Sequence, residues 1–130
     1  MAAAEEAVYA LLSQDVGVAE IVGDRIYPLT TPEEGTYPAL SYWRVSGPRE
    51  HALDGPAGYA HPRIQVDAWA NDYATAKSLI EAAIAALDGY RGNAGGVNVI
   101  GIFALGDHDV FEPRTKTFHR AADFEVQHGA

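Results

Sequence analysis

A chain of 130 residues is long enough for one domain whose core needs no covalent staple. Cysteine is absent, which excludes disulfides and thiolate metal sites. Eighteen acidic against nine basic side chains give a formal net charge of -9, and a protein that grips DNA by its phosphates carries the opposite balance.

The acidity serves solubility, or it marks a surface that must not bind DNA. No basic stretch precedes Glu5 and Glu6, which interrupt any apolar run, so no signal peptide is expected. No segment approaches the roughly 18 apolar residues of a membrane span.

Residues 3–13 read as a helix, with Val8, Leu11 and Leu12 on one face and Glu5 and Glu6 in the first turn. Asp15 caps a second short turn over 19–22, which Gly23 ends. Residues 25–29 form a short strand stopped by Pro28 and the turn-rich stretch 30–35. A stronger strand covers 37–45, where Pro38 marks an edge or a beginning. Residues 46–58 hold Gly47-Pro48, Asp54-Gly55-Pro56 and Gly58, a long loop or a hairpin tip.

Residues 59–70 alternate most clearly. Ala60, Ile64, Val66 and Ala68 point to a core. Tyr59, His61, Arg63, Gln65, Asp67 and Trp69 point to water or a partner. Asn71 or Asp72 caps a helix running to Asp88, with Ala76, Leu79, Ile80, Ala83, Ile84 and Leu87 as its apolar stripe. Residues 93–96 form a turn. Residues 97–105 are apolar on both faces, which predicts a central strand. Residues 106–115 read as a second polar loop, and 116–128 as the last strand. The sum is a single α+β domain over 1–130, a mostly antiparallel sheet of four to five strands with two helices packed on one face.

Catalytic chemistry is hard to place on this pattern. Asp107-His108-Asp109 is the one dense set of metal-ligand types, but a metal needs three or four converging groups, and a solvated turn is the reading preferred. None of Ser13, Ser41, Ser46 and Ser78 sits in the Gly-x-Ser-x-Gly setting of a nucleophile. Gly92-Asn93-Ala94-Gly95-Gly96 precedes a strand and lacks the Lys-Ser/Thr ending of a phosphate loop. His51, His61 and His119 have no partner nearby in sequence. Asp67 and Glu125 can meet across strands as an acid pair, and Trp69 is either a subunit contact or packed under its own chain.

An ordered set of segments carries a resemblance. It begins with Ala7-Val8-Tyr9-Ala10-Leu11-Leu12 and Val22-Gly23-Asp24-Arg25-Ile26-Tyr27-Pro28. It continues through Tyr37-Pro38-Ala39-Leu40-Ser41-Tyr42, Gln65-Val66-Asp67-Ala68-Trp69-Ala70, the helix over 75–87 and Phe124-Glu125-Val126. The chain resembles the phage tail-terminator family, also described as tail-completion or head–tail joining proteins. The resemblance implies a structural virion protein, not an enzyme, with no cofactor and no metal. It implies a hexameric ring on the head-proximal end of the tail tube, docked to the head connector, assembled in the host cytoplasm and away from any membrane. DNA passes through such a ring without specific binding. The source is a virus, a prophage or a gene-transfer particle. A head–tail connector adaptor and a small-molecule-binding or enzymatic α+β domain stay open as alternatives.

Three groups of residues are candidates for that work. Arg63, Gln65, Asp67 and Trp69 supply part of a subunit interface. Arg49, Glu50, His51 and Asp54 sit on a loop that meets a partner. Asp107, Asp109 and Glu112, with Glu33 and Glu34, line the channel.

Overall fold

In the computed structural model the backbone is described for residues 3–29, 31, 36–47, 49–52, 55–112 and 117–129. Side chains are described for the same residues except 49–52, 55–59, 111 and 112. Helix α1 (Ala4–Gln14) buries Ala4, Ala7, Val8 and Leu12, the face its spacing predicts. The Glu6 carboxylate accepts the Ala3 N–H at 2.9 Å and satisfies one open donor of the first turn. Asp15 caps α2 (Val16–Val22) through the Val18 N–H, and Gly23, at φ 61°, ends it. The caps thus lie where the sequence put them.

Strand β1 (Ile26–Pro28) runs parallel to β2 (Ala39–Ser46), which the chain enters through a cis Tyr37–Pro38 bond. Two more strands, β3 (Arg49–Ala52) and β4 (Gly55–Ala60), form a hairpin. Strand β5 (Arg63–Ala70) pairs antiparallel with β2, and α3 (Tyr73–Leu87) follows, capped by Asp72. The chain closes with β6 (Gly92–Ala94), β7 (Val97–Glu112) and β8 (Thr117–Gly129). Long β8 is central. On one side it pairs with β5 and then, beyond Pro62, with β4, and on the other with β7, whose start carries β6.

The three helices share one core with one sheet face. Leu40, Ile64, Val66, Ala122, Phe124, Val126 and Ile102 pack under Val8, Leu12, Leu79, Ile80 and Leu87. Among the described residues no helix covers the opposite face, the architecture of a two-layer α+β domain.

The sheet is larger than expected and mixed: among the described residues eight strands and three helices stand where four to five strands and two helices were expected. Residues 106–112 are not a loop. They extend β7 along β8, from Gly106↔Asp123 to Glu112↔Thr117. Their polarity hid the strand, because Asp107 and Asp109 find their partner, Arg120, across the ladder rather than along the chain. The stretch 46–58 holds the β3–β4 hairpin, and of the turn expected over 93–96 Asn93 and Ala94 pair in β6 while Gly95 and Gly96 make the turn. The alternation over 59–70 breaks at His61-Pro62, where Pro62 has no N–H to donate and its carbonyl accepts from Val126. Strand β7 is not covered on both faces, since Ile100, Phe103 and Leu105 are about half exposed.

Candidate functional site

Register across β2, β5 and β8 assembles the open face. Asp67 stands between Ser41 and Ala121, Gln65 between Trp43 and Asp123, and Trp69 between Ala39 and His119. Asp67 therefore lies within reach of three donors. Its Oδ1 accepts from Gln65 Nε2 at 2.7 Å and meets His119 Nε2 at 2.8 Å, while Oδ2 accepts from Trp43 Nε1 at 3.1 Å. The Trp69 ring stacks on His119, centroids 3.9 Å apart, and its Nε1 donates to Ser41 Oγ at 2.9 Å. These large flanking side chains leave Asp67 only 3% exposed, although it belongs to the uncovered face. Of the four interface candidates, Arg63 is exposed, Gln65 and Trp69 are half-buried, and Asp67 is sealed beneath its neighbours rather than facing water.

A second cluster stands where β7 and β8 run past the start of α3. Arg120 donates to Asp107 Oδ2 from Nε and Nη2, and its Nη1 donates to Asp109 Oδ1 and to the Tyr73 hydroxyl. Tyr73 in turn donates to Asp109 Oδ2 at 3.0 Å. The hydrogen bond from Arg120 to Asp107, with the charges of both aspartates, holds the guanidinium above its usual pKa against the effect of burial. Alternation sends Asp107 and Asp109 to one face and His108 to the other, so the three cannot converge on a metal. Among the described residues no cluster of three or more metal-ligand side chains exists.

The third feature is a groove of about 730 Å³ between α1 and the β1–β2 edge. Tyr9, Ala10, Pro28, Leu29, Tyr42 and Trp43 form apolar walls. Glu5, Glu6 and Arg44 stand at its rim, with Arg44 Nη2 donating to Glu5 Oε1 at 2.7 Å. Burial pushes Tyr42 above its usual pKa, helped by Tyr9 and the two glutamates. Burial also pushes Glu5 upward, but the hydrogen bond and charge of Arg44 and its own backbone N–H outweigh it, so its pKa is lowered. A carboxylate of depressed pKa stabilises the fold above its unfolded value, about 4.3, and loses that contribution as pH falls through the folded value. The stability difference between wild type and Glu5→Gln should therefore be present at neutral pH, small as for other exposed pairs, and vanish on acidification below the carboxylate range. Thermal melts across pH check this, and a difference that persists in acid would remove the ion pair as its cause.

Of the other candidates, Arg49, Glu50 and His51 lie on β3, and Glu112 ends β7. Asp54, Glu33 and Glu34 lie outside the described residues. The acid pair between Asp67 and Glu125 does not form. Asp67 stands beside Ala121 and Glu125 beside Arg63, four residues or roughly 13 Å along the strand. Asp67 takes His119 instead, and Glu125 meets His61 Nδ1 at 3.8 Å. Sequence reasoning missed Ser41, His119 and Arg120 as partners. Their strand positions were legible, but their neighbours are set by register.

Residues 6–128 match the model of a family described as tail completion protein gp17. The chain belongs to that family. Membership makes it a structural protein of a phage-type tail, and so a virion component. No curated protein sequence matches the chain. One chain in the solved virion of a native gene transfer agent (GTA) particle has the same fold. The TM-score is 0.83 at 19% identity, covering 98% of this tail completion chain and 96% of that one. No helix among the described residues is long and apolar enough to cross a membrane.

Proposed function

We propose that this tail completion protein closes into a ring, a hexamer, on the head-proximal end of the tail tube and joins the tube to the head connector. The observation that carries the reading is the family match over residues 6–128. The uncovered sheet face supports it, because a two-layer domain with one bare face offers area to neighbours. On that face Arg63, Gln65 and Trp69, seated over Asp67, supply part of a subunit contact. The β3–β4 hairpin, with Arg49, Glu50, His51 and Asp54, meets the connector. Electron microscopy of purified tails tests the reading through the copy number and position of this chain; a single copy, or a place away from the head-proximal end, overturns it.

Asp107, Asp109 and Glu112 line the path of the genome in this proposal. A wall that bound phosphate would retard a passing duplex, so an acidic or neutral lining suits passage. Replacing Asp107 and Asp109 together by Lys should slow genome ejection while tail length stays normal. Because both carboxylates clasp Arg120, the paired Asn variants separate loss of the clasp from gain of positive charge. Ejection at the wild-type rate in the Lys variant would take these residues off the path.

A further inference from the structure

Two exposed apolar features lie at opposite lateral edges of the sheet. Strand order runs β1, β2, β5, β8, β7, and four strand spacings separate the ends, roughly 19 Å. At one end is the groove under Tyr9, Leu29 and Tyr42. At the other is a ridge on β7, where Ile100, Phe103 and Leu105 are 45%, 48% and 51% exposed. Beyond Val99 no strand among the described residues pairs with the outer edge of β7. The edge meets the turn after α3, where the Gly89 N–H donates to the Ile102 carbonyl and Asp88 Oδ1 accepts the Ala104 N–H, so the exposed side chains of the ridge are what invite another chain.

Leu29 sharpens the groove. It is 73% exposed, and its φ of 68° lies in the left-handed region, which a branched apolar residue rarely enters. Its N–H donates to the Tyr42 carbonyl at 2.8 Å, which fixes the backbone while the side chain stands out. A strained residue that presents an apolar side chain to water points to a contact made elsewhere. Within one chain the β7 ridge stands four strands from Leu29, although Gly95 of the β6–β7 turn lines the groove.

Charge selects the partner. Copies that each carry -9 repel one another, so a contact between them must rest on apolar burial and on local matching of charge. Extending the β6–β7 register by one residue sets Arg91 beside Ile100 at the end of the ridge. Glu5 and Glu6 stand at the groove rim, Glu5 already held by Arg44 and Glu6 with no cation partner among the described residues. A basic residue beside the ridge and an open carboxylate beside the groove are complementary.

We infer that the β7 ridge of one copy enters the α1/β1–β2 groove of the next, with Phe103 and Leu105 against Tyr9 and Leu29 and Arg91 against Glu6. The contact is head-to-tail, one patch against a different patch, so it builds a ring where its rotation closes and never a two-fold dimer. It deepens the ring reading and rests on it. It also sets a salt dependence: screening the repulsion between acidic copies favours assembly at higher ionic strength.

The chain has no cysteine of its own, which makes the test direct. Leu29→Cys with Phe103→Cys in one chain, treated with a short bismaleimide in purified tails, should give a ladder of cross-linked multimers, while either substitution alone gives none. Arg91→Glu should lower incorporation into tails about tenfold, and adding Glu6→Lys should restore most of it. Dimers from a single-cysteine chain would mean a two-fold contact and overturn the inference. Rings that form in wild type but give no ladder from the double variant would overturn it while leaving the ring reading intact. Tails holding a lone copy of the chain would sink both.

Discussion

Asp67→Ala should lower the free energy of unfolding by about 3–5 kcal/mol, one of the two largest single-residue effects expected outside the apolar core. Three donors lose their acceptor at once: the Trp43 indole, the Gln65 amide and the His119 ring. They come from three adjacent strands, so the carboxylate ties β2, β5 and β8 together on the face that no helix covers. Truncation leaves them on a partly desolvated surface, where an unmade hydrogen bond costs more than a made one contributes. Asp67→Asn keeps one acceptor oxygen and should cost less. Urea unfolding of both variants gives the numbers. A loss under about 1 kcal/mol for Asp67→Ala would mean that water replaces the carboxylate freely and that the network is incidental to folding.

Gly95→Ala should cost about 3 kcal/mol by overpacking and backbone strain together. Gly95 sits in the turn between β6 and β7 at φ 56°, a conformation that suits glycine. A Cβ there would stand 2.5 Å from the Glu6 carbonyl oxygen and 2.8 Å from its carbon. Those are backbone atoms of α1 and cannot swing aside, so the helix must retreat from the turn. Ala7 and Val8 would then lift away from Ala94 and Val97 in the shared core. Gly23→Ala is the control. Its φ of 61° imposes similar strain, but nothing lies within 4 Å of the added carbon, so about 1 kcal/mol is expected. Equal losses in the two variants would show that the close approach of the turn to α1 carries no energy of its own. Gly95 also lines the groove, so a shift of α1 should weaken assembly as well as folding.

The sequence by itself determined the local elements and which way their side chains face. Helix α3 was legible because Ala76, Leu79, Ile80, Ala83 and Leu87 repeat with the helical period, and all five are buried. Strands β5 and β8 were legible because Ile64, Val66 and Ala68, and Ala122, Phe124 and Val126, alternate with period two. Asp15 and Asp72 announced the helix starts, since a short carboxylate before an apolar run caps the open N–H groups. All these signals act over a few residues. The family role was legible too, through the order of its segments.

Only the tertiary structure decided the rest. Periodicity tells which face a side chain takes, never which strand stands beside it. Nothing local announces that β1 runs parallel to β2 or that Asp67 meets His119, fifty-two residues away. Residues 106–112 looked like a loop because polar side chains are costly in a strand unless a neighbour satisfies them, and Arg120 on the paired strand does so. Residues 97–105 looked central because an apolar face reads alike whether it is buried or left exposed. Burial is set by what packs against a strand, and Ile100, Phe103 and Leu105 stay about half exposed.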